Sequence, residues 1–315
     1  MPFLRGRGLA ALLLALALIG GACGDDNGDA DVGVGDDAEG SCAGFEIDES
    51  IVVGGTNFSE QEIVAELYAQ CLEAAGADVT KKLKLGSREI VLPALESGEI
   101  DLYPEYVGTS LTFLKGEPSP DLDESLAALR EKFGAKDIAV LEPAPAEDKN
   151  GFAVTQETAD RYGLEKVSDL EPVAGELVLG APPECPERPL CAIGLKETYG
   201  IEFAEIRKLD AGGPLTKDAL ENGDIDVGLL FTSDGAVTAR GFVMLEDDKK
   251  LQPVENVVPV IREDVVNDDI EALLNSISEN LTTEELSEMN KQVDVDKEDP
   301  ADVAEAWLRE NGYVA

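Results

Sequence analysis

Two seven-residue stretches carry the side chains best suited to chemistry. They are Tyr-Pro-Glu-Tyr-Val-Gly-Thr at 103–109 and Leu-Leu-Phe-Thr-Ser-Asp-Gly at 229–235. Each follows a strand signal, and ligands of open α/β sheets sit at the carboxyl ends of strands. Aromatic residues make up only 5% of the chain, so rings gathered at such ends mark a binding segment. The chemistry on offer is recognition rather than bond making. The chain has no His, which removes Ser-His-Asp and Cys-His catalysis, His-ligated zinc and the usual proton shuttle near neutral pH. No nucleophile–base pair or metal-binding cluster stands out, and among 66 Asp and Glu no single carboxylate pair is diagnostic. The sequence therefore predicts no enzymatic activity, no cofactor and no metal.

An internal repeat positions both segments. Residues 94–102 read Ala-Leu-Glu-Ser-Gly-Glu-Ile-Asp-Leu, and residues 219–227 read Ala-Leu-Glu-Asn-Gly-Asp-Ile-Asp-Val. Each copy is a helix end, a Gly that stops the helix and a strand. Two such units predict two similar lobes facing one another. Around the first copy, residues 51–54 read as a buried strand. Ile63, Val64, Leu67, Tyr68, Cys71 and Leu72 then recur at helical spacing until Gly76. Ser59 and Glu62 have the spacing of a capping box ahead of that helix. Residues 78–85 read as a strand, 87–97 as a short helix and 100–103 as a third strand. This alternation predicts an α/β fold with a largely parallel sheet. Further strands are expected at 138–141, 151–155, 176–180 and 257–261, and closing helices at 270–281, 283–292 and 300–311.

The 25 Lys and Arg against 66 Asp and Glu give a net charge of −41. Acid spread over the whole body repels phosphate and excludes nucleic acid as a partner. With 43% hydrophobic residues the chain can still build real cores, and its 315 residues suit two domains or one large one. Residues 1–22 join Arg5 and Arg7 to an apolar run from Leu9 to Ile19 and to the small residues Gly20, Gly21 and Ala22. That is the pattern of a signal peptide, and the apolar run is too short to span a bilayer. Cys23 follows directly, as in a bacterial lipobox, and is expected to carry lipid. Residues 24–41 are Gly, Asp and little else, so 23–50 are expected to form a lipid-anchored acidic linker. Export leaves Cys42, Cys71, Cys185 and Cys191 for disulfides. A Cys185–Cys191 bond would staple a short Pro-rich loop, and Cys42 would pin the start of the fold to Cys71. Four cysteines allow three pairings, and spacing does not choose among them.

Several segments, taken in chain order, resemble one family. They are GTNFSEQ at 55–61, GEIDLYPEYVGT at 98–109, KNGFAV at 149–154, ERP and GLKETYG between 187 and 200, and GPLTKDALENGDIDVGLLFTSDG at 213–235. The family is the substrate-binding proteins of ABC transporters for quaternary-ammonium osmolytes, the glycine betaine/choline/carnitine family. The resemblance covers nearly all of residues 51–315. It implies an α/β, two-lobed fold of the type II periplasmic-binding-protein kind, with the ligand cleft between lobes joined by two crossovers. One lobe is expected to hold 51–149 plus 235–315, and the other 150–234. It implies a monomer, anchored at the extracytoplasmic face of the cell membrane, that captures a quaternary amine and delivers it to an ABC permease. Two alternatives keep the fold: a different small zwitterion as ligand, or a lipid-anchored sensory receptor without a transporter.

A trimethylammonium group donates no hydrogen bond and spreads its charge over its methyls, and aromatic faces attract such a cation. By the resemblance, Tyr106 and Thr109 belong to the site through the YxGT motif. Phe152 follows the first crossover, Phe231 stands where the family usually has Tyr, and Tyr103 is a neighbour on the same segment. Arg188 matches a position that pairs with a ligand carboxylate. Asn57 and Gln61, near the N-terminus of the first helix, are candidate polar contacts. The chain departs from the family pattern at Thr56, usually Lys, and at Val254, usually Tyr.

Overall fold

The computed structural model describes residues 40–315. The expected signal peptide, Cys23 and the linker up to residue 39 lie outside the described residues. The folded body begins before the expected residue 51. Cys42 and Ile47 are already buried in the first core, and the Ser41 and Cys42 amides donate to the carbonyls of Gly312 and Tyr313.

The first sheet holds β1 (Ser50–Gly54), β2 (Asp78–Lys82), β3 (Leu102–Tyr106), β4 (Ile138–Val140) and, from far along the chain, β10 (Val257–Arg262). Their order is β2-β1-β3-β10-β4, with β10 antiparallel to both neighbours. The second sheet holds β5 (Asn150–Thr155), β6 (Val178–Ala181), β7 (Glu205–Lys208), β8 (Val227–Phe231) and β9 (Phe242–Met244), in the order β7-β6-β8-β5-β9. The two orders have the same plan: two parallel pairs, then two antiparallel pairs, with β3 and β8 in the centre, so each sheet is half antiparallel rather than largely parallel. Mixed sheets covered by helices in two lobes match the expected fold class.

The sequence repeat explains the matching plan. Each copy leads into a central strand, and both make the same local bonds. Gly98 and Gly223 sit at φ of 73° and 74°, the left-handed region where Gly is cheapest. Asp101 then accepts a hydrogen bond from the Val52 amide at 2.8 Å, and Asp226 accepts one from the Val178 amide at 2.8 Å. Each carboxylate thus ties the incoming central strand to its parallel neighbour.

Helix α1 (Ser59–Ala74) packs against α8 (Asp268–Asn280), α9 (Thr283–Asp294) and α10 (Pro300–Glu310) in the first core. Helices α2 (Arg88–Glu96), α3 (Val107–Phe113) and α4 (Leu122–Gly134) contribute to a second apolar cluster against the same sheet. In the other lobe lie α5 (Gln156–Tyr162), α6 (Pro214–Glu221) and α7 (Ala236–Ala239). The expected capping box ahead of α1 does not form. Phe58 occupies the cap position without a side-chain bond, and the Ser59 hydroxyl goes instead to Asp294 at 2.5 Å. A tertiary carboxylate outcompetes the local amide.

The chain crosses between the sheets twice, and the two crossovers touch. Glu147 and Asn256 form an isolated antiparallel bridge, and the Asp148 amide donates to the Glu255 carbonyl at 2.9 Å. The second crossing lies later than the expected residue 235. Because β9 joins the second sheet and Leu245 and Leu251 pack into its core, the stretch through Leu251 sides with the second lobe.

Both disulfides are formed, Cys42–Cys71 and Cys185–Cys191. The first closes a separation of 29 residues and links the first ordered turn to α1. Loop closure of that length in the unfolded chain accounts for about 3–4 kcal/mol. Thermal unfolding of Cys42→Ser/Cys71→Ser should show a loss of that order; a change below about 1 kcal/mol contradicts the assignment.

Candidate functional site

The strands β3 and β8 end facing one another, and a cavity of about 120 Å³ lies at those ends. A single water needs roughly 10–15 Å³ of such space, so the cavity suits a small organic solute. Its lining draws on both lobes and on the first crossover. From the first lobe come Phe58, Arg88 and Tyr106; from the second, Arg188, Leu190 and Phe231.

Three rings form one wall. Phe58 stacks on Tyr106 with centroids 6.3 Å apart and on Phe231 with centroids 5.0 Å apart. Phe58 leaves β1 at the first turn of α1, Tyr106 ends β3 and Phe231 ends β8. The stack therefore bridges the two lobes. Asn57, Phe58, Ala211 and Phe231 also border a second cavity of about 290 Å³, which is lined by Glu60, Asp234, Asn290 and Asp294. The Phe58–Phe231 pair stands between an aromatic chamber and an acidic one.

Behind the wall lies a buried polar scaffold. Arg88 forks onto Glu105 at 2.6 and 2.8 Å and donates to the Thr109 hydroxyl at 2.9 Å. Thr109 in turn donates to Glu255 at 3.3 Å. Glu105 also accepts from the Tyr103 hydroxyl at 2.7 Å and from the Tyr106 amide at 2.8 Å. The Tyr106 hydroxyl donates to Glu60 at 2.6 Å. That scaffold fixes the direction of the Tyr106 ring. Burial raises the carboxyl of Glu60, and burial together with the neighbouring Glu60 charge pushes Asp148 well above the usual carboxylate range. Burial also lifts Glu255, to about 8.

Six of the eight expected site residues line the cavity: Asn57, Gln61, Tyr106, Thr109, Arg188 and Phe231. Gln61 is already committed, its Nε2 donating to the Pro104 carbonyl at 3.0 Å and its Oε1 accepting from the Thr56 amide at 3.3 Å. Two expectations are corrected. Phe152 is buried in the core of the second lobe, opposite Leu229 in the β5–β8 ladder: it shares its face of β5 with Asn150, which lines the cavity, but stands deeper along the strand, away from its cleft end. Tyr103 is fully buried in the α2–α4 cluster and reaches the site only through its hydroxyl on Glu105. Strand alternation separates it from the cavity although Tyr106 is near in sequence.

Arg188 does more than line the cavity. Its terminal nitrogen spans the cleft to Glu89 of α2, at 3.1 and 3.0 Å from the two carboxylate oxygens. Its Nε is buried and has no partner among the described residues, and the same holds for the Thr56 hydroxyl on the cavity wall.

Phe58, Arg88 and Asn150 line the cavity but were not among the expected residues. Phe58 had a signal in the sequence: it is an aromatic directly between a strand end and a helix start, where side chains face the cleft.

A family model described as the substrate binding domain of ABC-type glycine betaine transport systems matches residues 49–310. A glycine-betaine-binding protein of Pseudomonas aeruginosa is 32% identical over 283 residues, covering 85% of this chain and 90% of that protein. A carnitine transport binding protein, OpuCC of Listeria monocytogenes, is 28% identical over 279 residues, covering 84% and 88%. A crystal structure titled as a glycine betaine/carnitine/choline ABC transporter superposes with a TM-score of 0.67 at 28% identity, covering 84% of this chain and 99% of the other.

Proposed function

The chain belongs to the family of substrate-binding domains of ABC-type glycine betaine transport systems, and from that premise we propose that it captures a quaternary-amine osmolyte carrying a carboxylate, of the glycine betaine type, and delivers it to a membrane permease. We further propose anchoring at the extracytoplasmic face of the membrane through lipid on Cys23, which the acidic linker would hold away from the folded body.

The observation that carries the ligand reading is the pairing of an aromatic wall with unused hydrogen-bond donors in one cavity. Phe58, Tyr106 and Phe231 offer faces to a methylated cation. The Nε–H of Arg188 and the hydroxyl of Thr56 are buried donors with no partner among the described residues. A carboxylate supplies the acceptor that both lack. A choline hydroxyl would supply less, since a charge-assisted bond is roughly twice as strong as a neutral one.

Calorimetric titration of glycine betaine, carnitine and choline tests this reading. Arg188→Ala should weaken glycine betaine roughly 10- to 100-fold, the worth of a hydrogen bond to a charged group. The same change also removes the Glu89 pair, which affects every ligand alike. The informative quantity is therefore the ratio of losses, expected to be at least about tenfold greater for glycine betaine than for choline. Equal losses would remove the carboxylate contact, and no heat from any of the three would remove the osmolyte reading.

A further inference from the structure

The cavity wall on the second lobe is a stapled loop. Cys185, Arg188, Pro189, Leu190 and Cys191 all line the cavity, and Cys185 and Cys191 are both buried. The disulfide joins them across a separation of 6 residues, with Cα atoms 5.3 Å apart. Between them the backbone forms one short turn, Cys185–Glu187, and then departs from helical geometry at Leu190 and Cys191. Only a few bonds define this course. The Arg188 amide donates to the Cys185 carbonyl at 3.2 Å and the Cys191 amide to the Arg188 carbonyl at 3.1 Å. The Leu190 carbonyl accepts from Gln252 at 3.1 Å and Asn150 at 3.4 Å. Arg188 then leaves the loop, crosses to Glu89 and keeps its Nε buried beside the ligand space.

We propose that the Cys185–Cys191 disulfide is a positioning element of the ligand site: it holds Arg188 where that side chain meets both the ligand carboxylate and Glu89 of the opposite lobe, so that the thiol state of this loop sets ligand affinity. The ligand half of the statement rests on the function proposed above. The physical reason is preorganisation. With the bond in place, the loop's order is present before binding; without it, each binding event must order the loop and the long Arg188 side chain. A small dithiol carries out the reverse reaction in balance. Two electrons break the S–S bond, each sulfur takes up one proton to become a thiol, and the dithiol is oxidised to its own disulfide.

The test uses the whole chain with Cys185→Ser/Cys191→Ser, with Cys42→Ser/Cys71→Ser as the control that removes the disulfide remote from the cavity. Amide hydrogen exchange across residues 184–192, measured without ligand, should quicken roughly tenfold or more when the first bond is removed and stay unchanged when the second is. Glycine betaine affinity should fall roughly three- to tenfold in the first variant only, the ordering penalty of one long side chain and its loop. In an Arg188→Ala background the same removal should have no further effect on affinity, which separates positioning from general loosening. Wild-type protein treated with a dithiol and alkylated should reproduce the first variant's exchange at 184–192, which keeps the test open if that variant folds poorly. Unchanged exchange at 184–192 overturns the proposal whatever the ligand, and so does quickened exchange with unchanged affinity. If wild type binds no methylated amine, the ligand reading fails instead, and exchange alone decides whether the bond orders the loop.

Discussion

Lys217→Met should cost the folded protein about 3–5 kcal/mol, the largest single loss expected from a side chain outside the apolar cores. Lys217 projects from α6 and is almost fully buried. Its Nζ lies 2.8 Å from Asp234 at the end of the β8 turn and 2.5 Å from Asp294 at the end of α9. Asp294 also accepts from the Ser59 hydroxyl at the start of α1. One ammonium thus ties the second lobe to two helices of the first. Removing it leaves two carboxylates, mostly out of water, with no cation between them. Breaking a buried pair costs more than the pair is worth, because the abandoned charge remains.

The pH dependence of that loss has a definite sign. Burial raises the Asp234 carboxyl above its ordinary value, and the attraction of Lys217 only partly offsets this. An acid with a raised folded pKa favours the folded state below its unfolded pKa, and the advantage is lost as pH rises through the folded value. Without Lys217 the Asp234 pKa rises further. The deficit of Lys217→Met should therefore grow with rising pH and shrink on acidification, as Asp234 takes up its proton. Thermal unfolding from pH 4 to pH 8 measures both. A loss under about 1 kcal/mol at pH 7 would show that the carboxylates are rescued by solvent, and a deficit that grows toward acid would overturn the role given to Asp234.

Phe58→Ala should weaken glycine betaine binding roughly 10- to 5,000-fold, more than Phe231→Ala, which should cost roughly 5- to 400-fold. Phe231 touches one ring of the stack, whereas Phe58 touches both Tyr106 and Phe231. Losing Phe58 removes one face for the cation, at about 0.5–2 kcal/mol when desolvated, and two aromatic pairs at about 0.5–1.5 kcal/mol each. It also opens the aromatic chamber toward the acidic cavity behind it, whose lining includes Glu60, Asp234 and Asp294. Water entering from there screens the remaining rings. Calorimetry on the two single variants and the double variant gives the coupling directly. Additive losses would mean that the rings act separately, and full affinity in Phe58→Ala would take Phe58 out of the site.

Much of this site was legible before any coordinates, and the reason is local. The Gly-Glu-Ile-Asp and Gly-Asp-Ile-Asp signals carry their own chemistry, a left-handed Gly and a carboxylate that bonds the adjacent strand. They placed β3 and β8, and with them Tyr106, Thr109 and Phe231. Tyr103 is turned by the pleat to the face opposite Tyr106, and Phe152 lies deeper along β5 than the cavity-lining Asn150; sequence proximity conveys neither. Strand β9 is three residues long, and so short an element has no periodicity of its own to read.

The sequence by itself determined the family, the two-lobe plan through its repeat, the catalytic poverty of a chain without His, and the even set of cysteines left for pairing. Tertiary structure alone decided which cysteines meet, where Ser59 sends its hydroxyl, and that Arg188 answers to Glu89, 99 residues away in sequence. It also decided that Phe58 is the middle of the aromatic wall. The physical reason is the range of the interactions. Helix stops and strand ties are set within a few residues by backbone geometry. Buried charges and rings must instead find partners across the cleft, and those partners are chosen by how the two lobes close.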